Sequence, residues 1–305
     1  MQITVSKSTP AVPATAAARR LIRSSKSANT LRVYKTALRQ VDAWAGKRKL
    51  TDALFADYLG LRFTGGASVS TLRLDAAAVA FRHGDGGDNP VGRASRAVIH
   101  GAAREGSSRG RGQVDGLSWA TVDAAAAFAV KDGSLAGIRD AAILLVQSDA
   151  MLRVSEVAAL DTTDLENAGD GGTVTVRFSK TDTRGKGAVC YLRRRTLDAV
   201  RVWKEASGIT SGALFRSISR HGHIGKRISD RSVRRIVIKR AADAGAQGRI
   251  SGHSARVGGA ENLCAAGASL PQMMQAGRWR GAQMPAHYSR KVAAASSAVA
   301  VLRPA

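Results

Sequence analysis

Cysteines, acidic residues and long apolar runs are all scarce in this sequence, and each shortage removes a class of protein. Two cysteines, Cys190 and Cys264, cannot make a disulfide framework or a four-thiolate zinc site. The longest strongly apolar run, Ala141 to Val146, is far shorter than the roughly 20 residues a membrane-spanning helix needs. The chain does not open on a positive segment followed by an apolar stretch and a small-residue cleavage site, so export is not expected. A Walker loop, a dinucleotide glycine fingerprint after a strand and a His-Glu-x-x-His are all missing. The lone His221-x-His223 falls in a predicted loop with no carboxylate or thiolate near it in sequence. Neither a metal nor another cofactor is therefore expected, and the chain reads as a soluble, cytoplasmic protein without membrane attachment.

Positive charge is abundant. The 305 residues include 47 Lys+Arg against 23 Asp+Glu, a formal net charge of +24. Such a surplus favours a polyanionic partner, because cations that displace counterions from phosphates gain affinity without reading sequence. A compositional bias toward Arg, Ala and Gly explains part of the excess but not the missing acids. Nucleic acid is the first choice of partner, an anionic membrane surface a distant second. Hydrophobic residues at 44% exclude disorder throughout, and the length suggests two domains.

Residues 1–24 carry scattered Pro, Ala and Ser with no helical stripe and read as a flexible N-terminal arm. Thr30 then offers an N-cap, and Leu31, Tyr34, Leu38, Val41 and Trp44 recur at helical spacing. A second helix follows Thr51 and a third runs from about Ser70 to His83. Gly84 to Asp88 ends it as a turn, and Asn89-Pro90 is placed to open a fourth as cap and first-turn proline. Residues 25–104 thus read as a four-helix bundle. Residues 105–117, with Gly-Ser-Ser-Arg-Gly-Arg-Gly at their centre, read as the linker. Residues 118–305 form a second domain, mostly helical, with a predicted hairpin of 173–178 and 188–192 that places Val174, Val176 and Phe178 on one face.

Chemistry-bearing residues are scattered through the second domain. Leu152-Arg153-Val154-Ser155-Glu156 follows an apolar helix, and Lys180 sits where the first hairpin strand meets its turn. His253-Ser254-Ala255-Arg256 opens a helix with imidazole and guanidinium on one face. Trp279 and Tyr288 come later. Singly, each has a structural explanation: a surface ion pair, a solvated lysine, a core tryptophan.

In order, they resemble the tyrosine recombinases of the phage-integrase family, most closely the Cre-type members. The run His253 to Gly258, then Leu270 to Gly277, Trp279 and Tyr288, is similar to that family's second box at the same spacing. Leu152 to Glu156 is similar to the first box, and Ser27 to Tyr34 to the start of its helical core-binding domain. The resemblance implies a mainly α fold with a small antiparallel sheet: a SAM-like helical bundle plus an α+β catalytic domain, closing on DNA as a C-shaped clamp. It implies Tyr288 as nucleophile, Arg153 and Arg256 as phosphate clamps, His253 as general acid/base and Lys180 as proton donor to the leaving oxygen. Trp279 would donate to a phosphate oxygen, and Glu156 would support the site. Arg177, Arg184 and Lys186 share the hairpin with Lys180, so that assignment rests on the resemblance. The implied partner is double-stranded DNA carrying a specific recombination site, bound by a homotetramer whose C-terminal tails, with Val292, Val299, Val301 and Leu302, are exchanged between subunits.

DNA contacts are less readable. Arg32, Lys35, Arg93 and Arg96 in the first domain are candidates. So are Arg231, Arg234 and Arg235 on a helix that also carries Lys239 and Arg240. A groove, a phosphate backbone or solvent would each suit that face. Arg278 and Arg280 beside Trp279 either touch DNA or follow the composition. The expected function is site-specific recombination through a 3′-phosphotyrosyl intermediate. The alternatives are relaxation in the manner of a type IB topoisomerase, and a non-catalytic DNA-binding or architectural protein.

Overall fold

The computed structural model describes residues 15–84, 88–106, 109–110, 112–178, 187–295 and 297–302. The chain divides into two compact units, Met1–Gly112 and Gln113–Ala305.

The first unit is all helical: α1 (Ala16–Ser24), α2 (Ala28–Ala45), α3 (Asp52–Thr64), α4 (Val69–His83) and α5 (Arg93–Glu105). Helix α1 corrects the sequence reading of an arm up to residue 24. Leu21 and Ile22 on it are exposed, and its Ala-Ala-Ala-Arg-Arg start supplies high helix propensity. Helix α2 begins earlier than expected, because Ser27 is its cap and accepts a hydrogen bond from the Thr30 backbone. Thr51 and Ser68 cap α3 and α4 in the same way, each cap contributing about 1 kcal/mol. Asn89-Pro90 does not open α5. Asn89 instead closes a turn, donating to Gly84 O and accepting from the Val91 backbone. The start of α5 is capped from another helix: the Asp52 carboxylate accepts from the backbones of Gly92, Ala94 and Ser95 at 2.8 to 3.0 Å. Burial works to raise the Asp52 pKa, but these hydrogen bonds outweigh it and hold the group at about 2. Val41, Phe55, Leu59, Leu72 and Val79 fill the core between the helices.

The second unit contains α6 (Trp119–Lys131), α7 (Leu135–Asp149), α8 (Val154–Ala159), β1 (Leu165–Ala168), β2 (Gly171–Val176), β3 (Ala188–Arg193) and α9 (Arg194–Ser207). There follow β4 (Arg216–Ile218), β5 (Ile224–Arg227), α10 (Asp230–Asp243), α11 (Ser254–Ala265), α12 (Leu270–Gly277), α13 (Gln283–Ala295) and α14 (Ala298–Leu302). The expected hairpin is part of a three-stranded antiparallel sheet of order β1-β2-β3, and β4 and β5 form a second ladder. Val174 and Val176 lie inside with Cys190 and Leu192, but Phe178 is 75% exposed. It lies beyond β2, where the chain has left the ladder, so the two-residue alternation no longer applies. The His221-x-His223 loop lies exposed between β4 and β5.

Helix α7 is the axle of this unit. It is buried on every side from Arg139 to Ser148 and packs against α6, α9 and α11. The expected linker is only partly a linker. Leu117 is buried, its backbone donates to Ser254 O at 2.9 Å, and Asp115 pairs with the Arg249 backbone in both directions. Residues 113–117 therefore belong to the second unit.

That docking depends on Gly258 of α11. A Cβ there would lie 1.9 Å from Leu117 O and 2.4 Å from its carbonyl carbon, and main chain cannot swing aside as a side chain can. Gly258→Ala should destabilise the protein by about 3 kcal/mol or more, at or above the upper end of ordinary overpacking. Gly101 of α5, which has nothing within 4 Å, is the control. Gly101→Ala should stabilise by about 0.5–1 kcal/mol. Urea unfolding of the two variants checks both signs.

Candidate active site

Three turns in the second unit converge on one guanidinium. Arg256, one turn into α11, is fully buried. Its Nη1 donates to Met151 O at 2.6 Å, and its Nη2 donates to Gly277 O. Its Cζ lies 4.7 Å from the Trp279 ring centroid, a cation–π distance. Among the described residues, Met151 (φ 48°) and Arg278 (φ 53°) are the non-glycine residues with left-handed backbone. One presents the first carbonyl, and the other follows the second. Such conformations persist where surrounding contacts over-determine them.

Gln147, fully buried near the end of α7, ties two of these turns together. Its amide donates to Leu152 O at 3.2 Å and to Gly252 O at 2.9 Å. This joins the segment before α8 to the segment before α11. Sequence reasoning passed over Gln147, although an amide directly after the run Ala141–Val146 was the available signal. Gly277 leaves room for the indole, since a Cβ there would lie 2.2 Å from the Trp279 ring.

Tyr288 stands on α13, and its hydroxyl lies 2.8 Å from His253 Nε2. The Trp279 ring is 5.8 Å from the Tyr288 ring. Burial first, and then the positive charges of Arg256 and Arg153, hold the His253 pKa down at about 4. The imidazole is therefore neutral at neutral pH, and in the tautomer with its lone pair on Nε2 it accepts the hydrogen bond of the phenol. Burial raises the Tyr288 pKa, while Arg256 and then Arg153 oppose the rise. Burial, reinforced by Arg153 and Arg278, lowers the Arg256 pKa to about 10, which leaves it charged. Both arginines act on the tyrosine electrostatically before any substrate is present.

Glu156 is 4% exposed and is shared. Its Oε1 pairs with Arg153 Nη1 at 2.7 Å, while Oε2 accepts from the Arg153 backbone at 3.0 Å and from Arg278 Nη2 at 2.5 Å. Arg278 is thus a site residue and not a surface cation or a consequence of composition; Arg280 is exposed. The structure brings together Arg153, Glu156, His253, Arg256, Trp279 and Tyr288. Lys180 lies outside the described residues, as do Arg184 and Lys186. Arg177 is engaged elsewhere, paired with Asp161 and Asp164.

Of the candidate DNA contacts, Arg32 and Lys35 are exposed on α2, and Arg93 and Arg96 on α5. Arg231, Arg234 and Arg235 are exposed on α10 and make no ion pair among the described residues. Two neighbours on that helix are committed to carboxylates instead. Arg240 is buried and paired with Asp140 and Asp132, and Lys239 pairs with Asp243.

Comparison with known proteins agrees with this geometry. Residues 121–294, more than half of the chain, match the phage integrase family. The recombinase cre of Escherichia phage P1 is 29% identical over 172 residues, which are 51% of this chain and 50% of that protein. An integrase/recombinase xerD homolog of Selenomonas ruminantium is 28% identical over 262 residues, 79% of this chain and 75% of its relative. The match thus spans half the length of the phage recombinase. Among solved structures, the XerH site-specific recombinase bound to palindromic difH substrate, a post-cleavage complex, superposes with a TM-score of 0.63 at 13% identity. That match covers 89% of this chain and 78% of XerH. A lambda integrase dimer bound to a COC' core site gives 0.59 at 14% identity, over 90% of this chain and 75% of that one. At these identities the structures speak for the fold, and the family match for descent. The chain belongs to the phage integrase family, the tyrosine recombinases.

Proposed function

We propose that this protein is a site-specific DNA recombinase that cuts and rejoins DNA through a 3′-phosphotyrosyl intermediate. The observation that carries the reading is the 2.8 Å contact between the Tyr288 hydroxyl and a neutral His253, in the field of two guanidinium groups. His253 takes the phenol proton as the oxygen attacks phosphorus, so the nucleophile is activated by an adjacent base. The charge that builds on the phosphorane is met by Arg153 and Arg256. The bond to the 5′-oxygen breaks, leaving Tyr288 esterified to the 3′-phosphate and a 5′-hydroxyl that needs a proton. Lys180 is assigned that donation by resemblance. The phosphotyrosine preserves the ester, so a new 5′-hydroxyl attacks it without ATP. Trp279, whose indole N–H has no partner among the described residues, is placed to donate to a phosphate oxygen.

The reading extends to a homotetramer on two duplexes with the C-terminal segment exchanged between subunits. Support comes from that segment's poor burial, with Val299 67% and Leu302 78% exposed. Both units present cations suited to DNA, Arg32, Lys35, Arg93 and Arg96 on one and Arg231, Arg234 and Arg235 on the other. The phage and bacterial origin of the relatives supports work in the cytoplasm, on DNA.

On a nicked suicide duplex carrying the target site, the protein should form a covalent adduct visible on denaturing gels. Tyr288→Phe should abolish it while DNA binding survives, and a persisting adduct would mean another nucleophile. Arg153→Ala should slow adduct formation by roughly 10² or more, as loss of one transition-state donor does; a rate within a few-fold of the parent removes Arg153 from the chemistry. Efficient relaxation of plasmids lacking any target, with no recombinant product, would instead point to a topoisomerase.

Because its folded-state pKa is lowered to about 4, His253 should keep its neutral, proton-accepting form well below the usual histidine range. Imidazole ¹⁵N shifts of the DNA-free protein should therefore show His253 neutral at pH 5.5, where an exposed histidine is mostly charged. Titration near 6.5 would contradict the burial argument.

A further inference from the structure

Arg278 occupies a position where its backbone favours a different residue. It ends α12 in the left-handed conformation, φ 53° and ψ 44°, where glycine pays no steric cost and a side chain does. Yet this side chain is only 10% exposed and is bound in three directions. It donates to Glu156 Oε2 at 2.5 Å, to Ala150 O at 2.8 Å and to Cys190 Sγ of β3 at 2.9 Å. Its Nε is buried without a partner. Nothing about closing a helix requires a guanidinium in that place.

The geometry at Glu156 gives the reason. A carboxylate with both oxygens free can hold an arginine bidentately and satisfy most of its charge. Here Oε2 is occupied by Arg278 and by the Arg153 backbone, so the Arg153 side chain is gripped through Oε1 alone. Its remaining N–H groups have no partner among the described residues, and the side chain is 20% exposed. With the buried Arg256 beside them, Arg153, Arg278 and Glu156 make three guanidinium groups and one carboxylate, a net +2; without Arg278 the sum would be +1.

We propose that Arg278 is a positioning residue for DNA cleavage: it offsets the Glu156 carboxylate, so that Glu156 orients Arg153 without cancelling its charge at the scissile phosphate. The inference rests on the recombinase reading above and deepens it. A phosphodiester carries one negative charge and gains another as the phosphorane forms. The net +2 would match that state, whereas +1 would match only the ground state. Arg278 also links the segment leading to Tyr288 with α8 and with β3, which joins three parts of the site through one side chain.

The test is single-turnover adduct formation on a suicide duplex built from the segment that this protein footprints in DNA flanking its own gene. Arg278→Gly removes both the charge and the backbone strain. Its thermal midpoint should stay within about 4 °C of the parent, while the rate falls roughly tenfold, as for loss of a unit charge several ångströms from the phosphate. Arg278→Gln keeps the strain and some polar contact without the charge, and should lose rate to the same degree. Adding Glu156→Gln to either variant removes the carboxylate that Arg278 offsets and should recover about threefold or more. A purely structural role would not produce that rescue. Either single variant reacting within twofold of the parent, or folded double variants no faster than the singles, overturns the proposal. A parent that forms no adduct, with DNA still bound, overturns the recombinase reading itself and is recognised before any Arg278 variant is compared.

Discussion

A buried guanidinium organises the catalytic unit. An arginine with no exposed surface is tolerated only where its N–H groups find partners, since an unsatisfied buried charge costs several kcal/mol. Arg256 meets that demand with two main-chain carbonyls, Met151 O and Gly277 O, from turns more than a hundred residues apart in sequence. Both turns contain a residue in strained, left-handed backbone. The cation and the strain therefore stabilise one another: each turn aims a carbonyl that Arg256 needs, and Arg256 rewards a conformation that neither turn favours alone. Trp279 closes over the group on one face, and the site's other members are placed by their attachment to these turns.

From that arrangement the electrostatics follow. Two cations in a poorly solvated site push His253 toward its neutral form and pull Tyr288 toward ionisation, against the burial that raises it. The resting pair is therefore a neutral imidazole beside a neutral phenol, with the two cations placed to favour negative charge on the phenol oxygen. The Glu156 carboxylate beside them is divided between Arg153 and Arg278. Its charge orients a guanidinium without making a closed ion pair.

The outer surface follows a different logic. The cations of α2, α5 and the outward face of α10 are exposed, whereas Arg240, Arg177 and Arg193 are committed to carboxylates. A strongly basic composition is thus split between structural ion pairs and free charge available to a polyanion. Only the free part is available to such a partner.

Much of this was legible in the chain itself. The apolar periodicity of α2 to α4, the apolar run Ala141–Val146 of α7 and the alternation of β2 are local patterns, and the order of Arg153, His253, Arg256, Trp279 and Tyr288 pointed to the family. Two readings failed because a distant group replaced a local one. Asp52 caps α5 from 40 residues away, where Asn89-Pro90 looked sufficient. Residues 113–117 looked like linker because their apolar content is low, yet backbone hydrogen bonds and the bare surface of Gly258 dock them. The sequence by itself determined which chemistries are present and in what order, because side-chain type and short-range spacing are properties of the chain. Only the tertiary structure decided that Gln147 staples two turns, that Glu156 is shared, and that Arg278 faces inward. Those are pairings across about 100 residues or more, chosen by burial and hydrogen-bond satisfaction, and no local pattern encodes them.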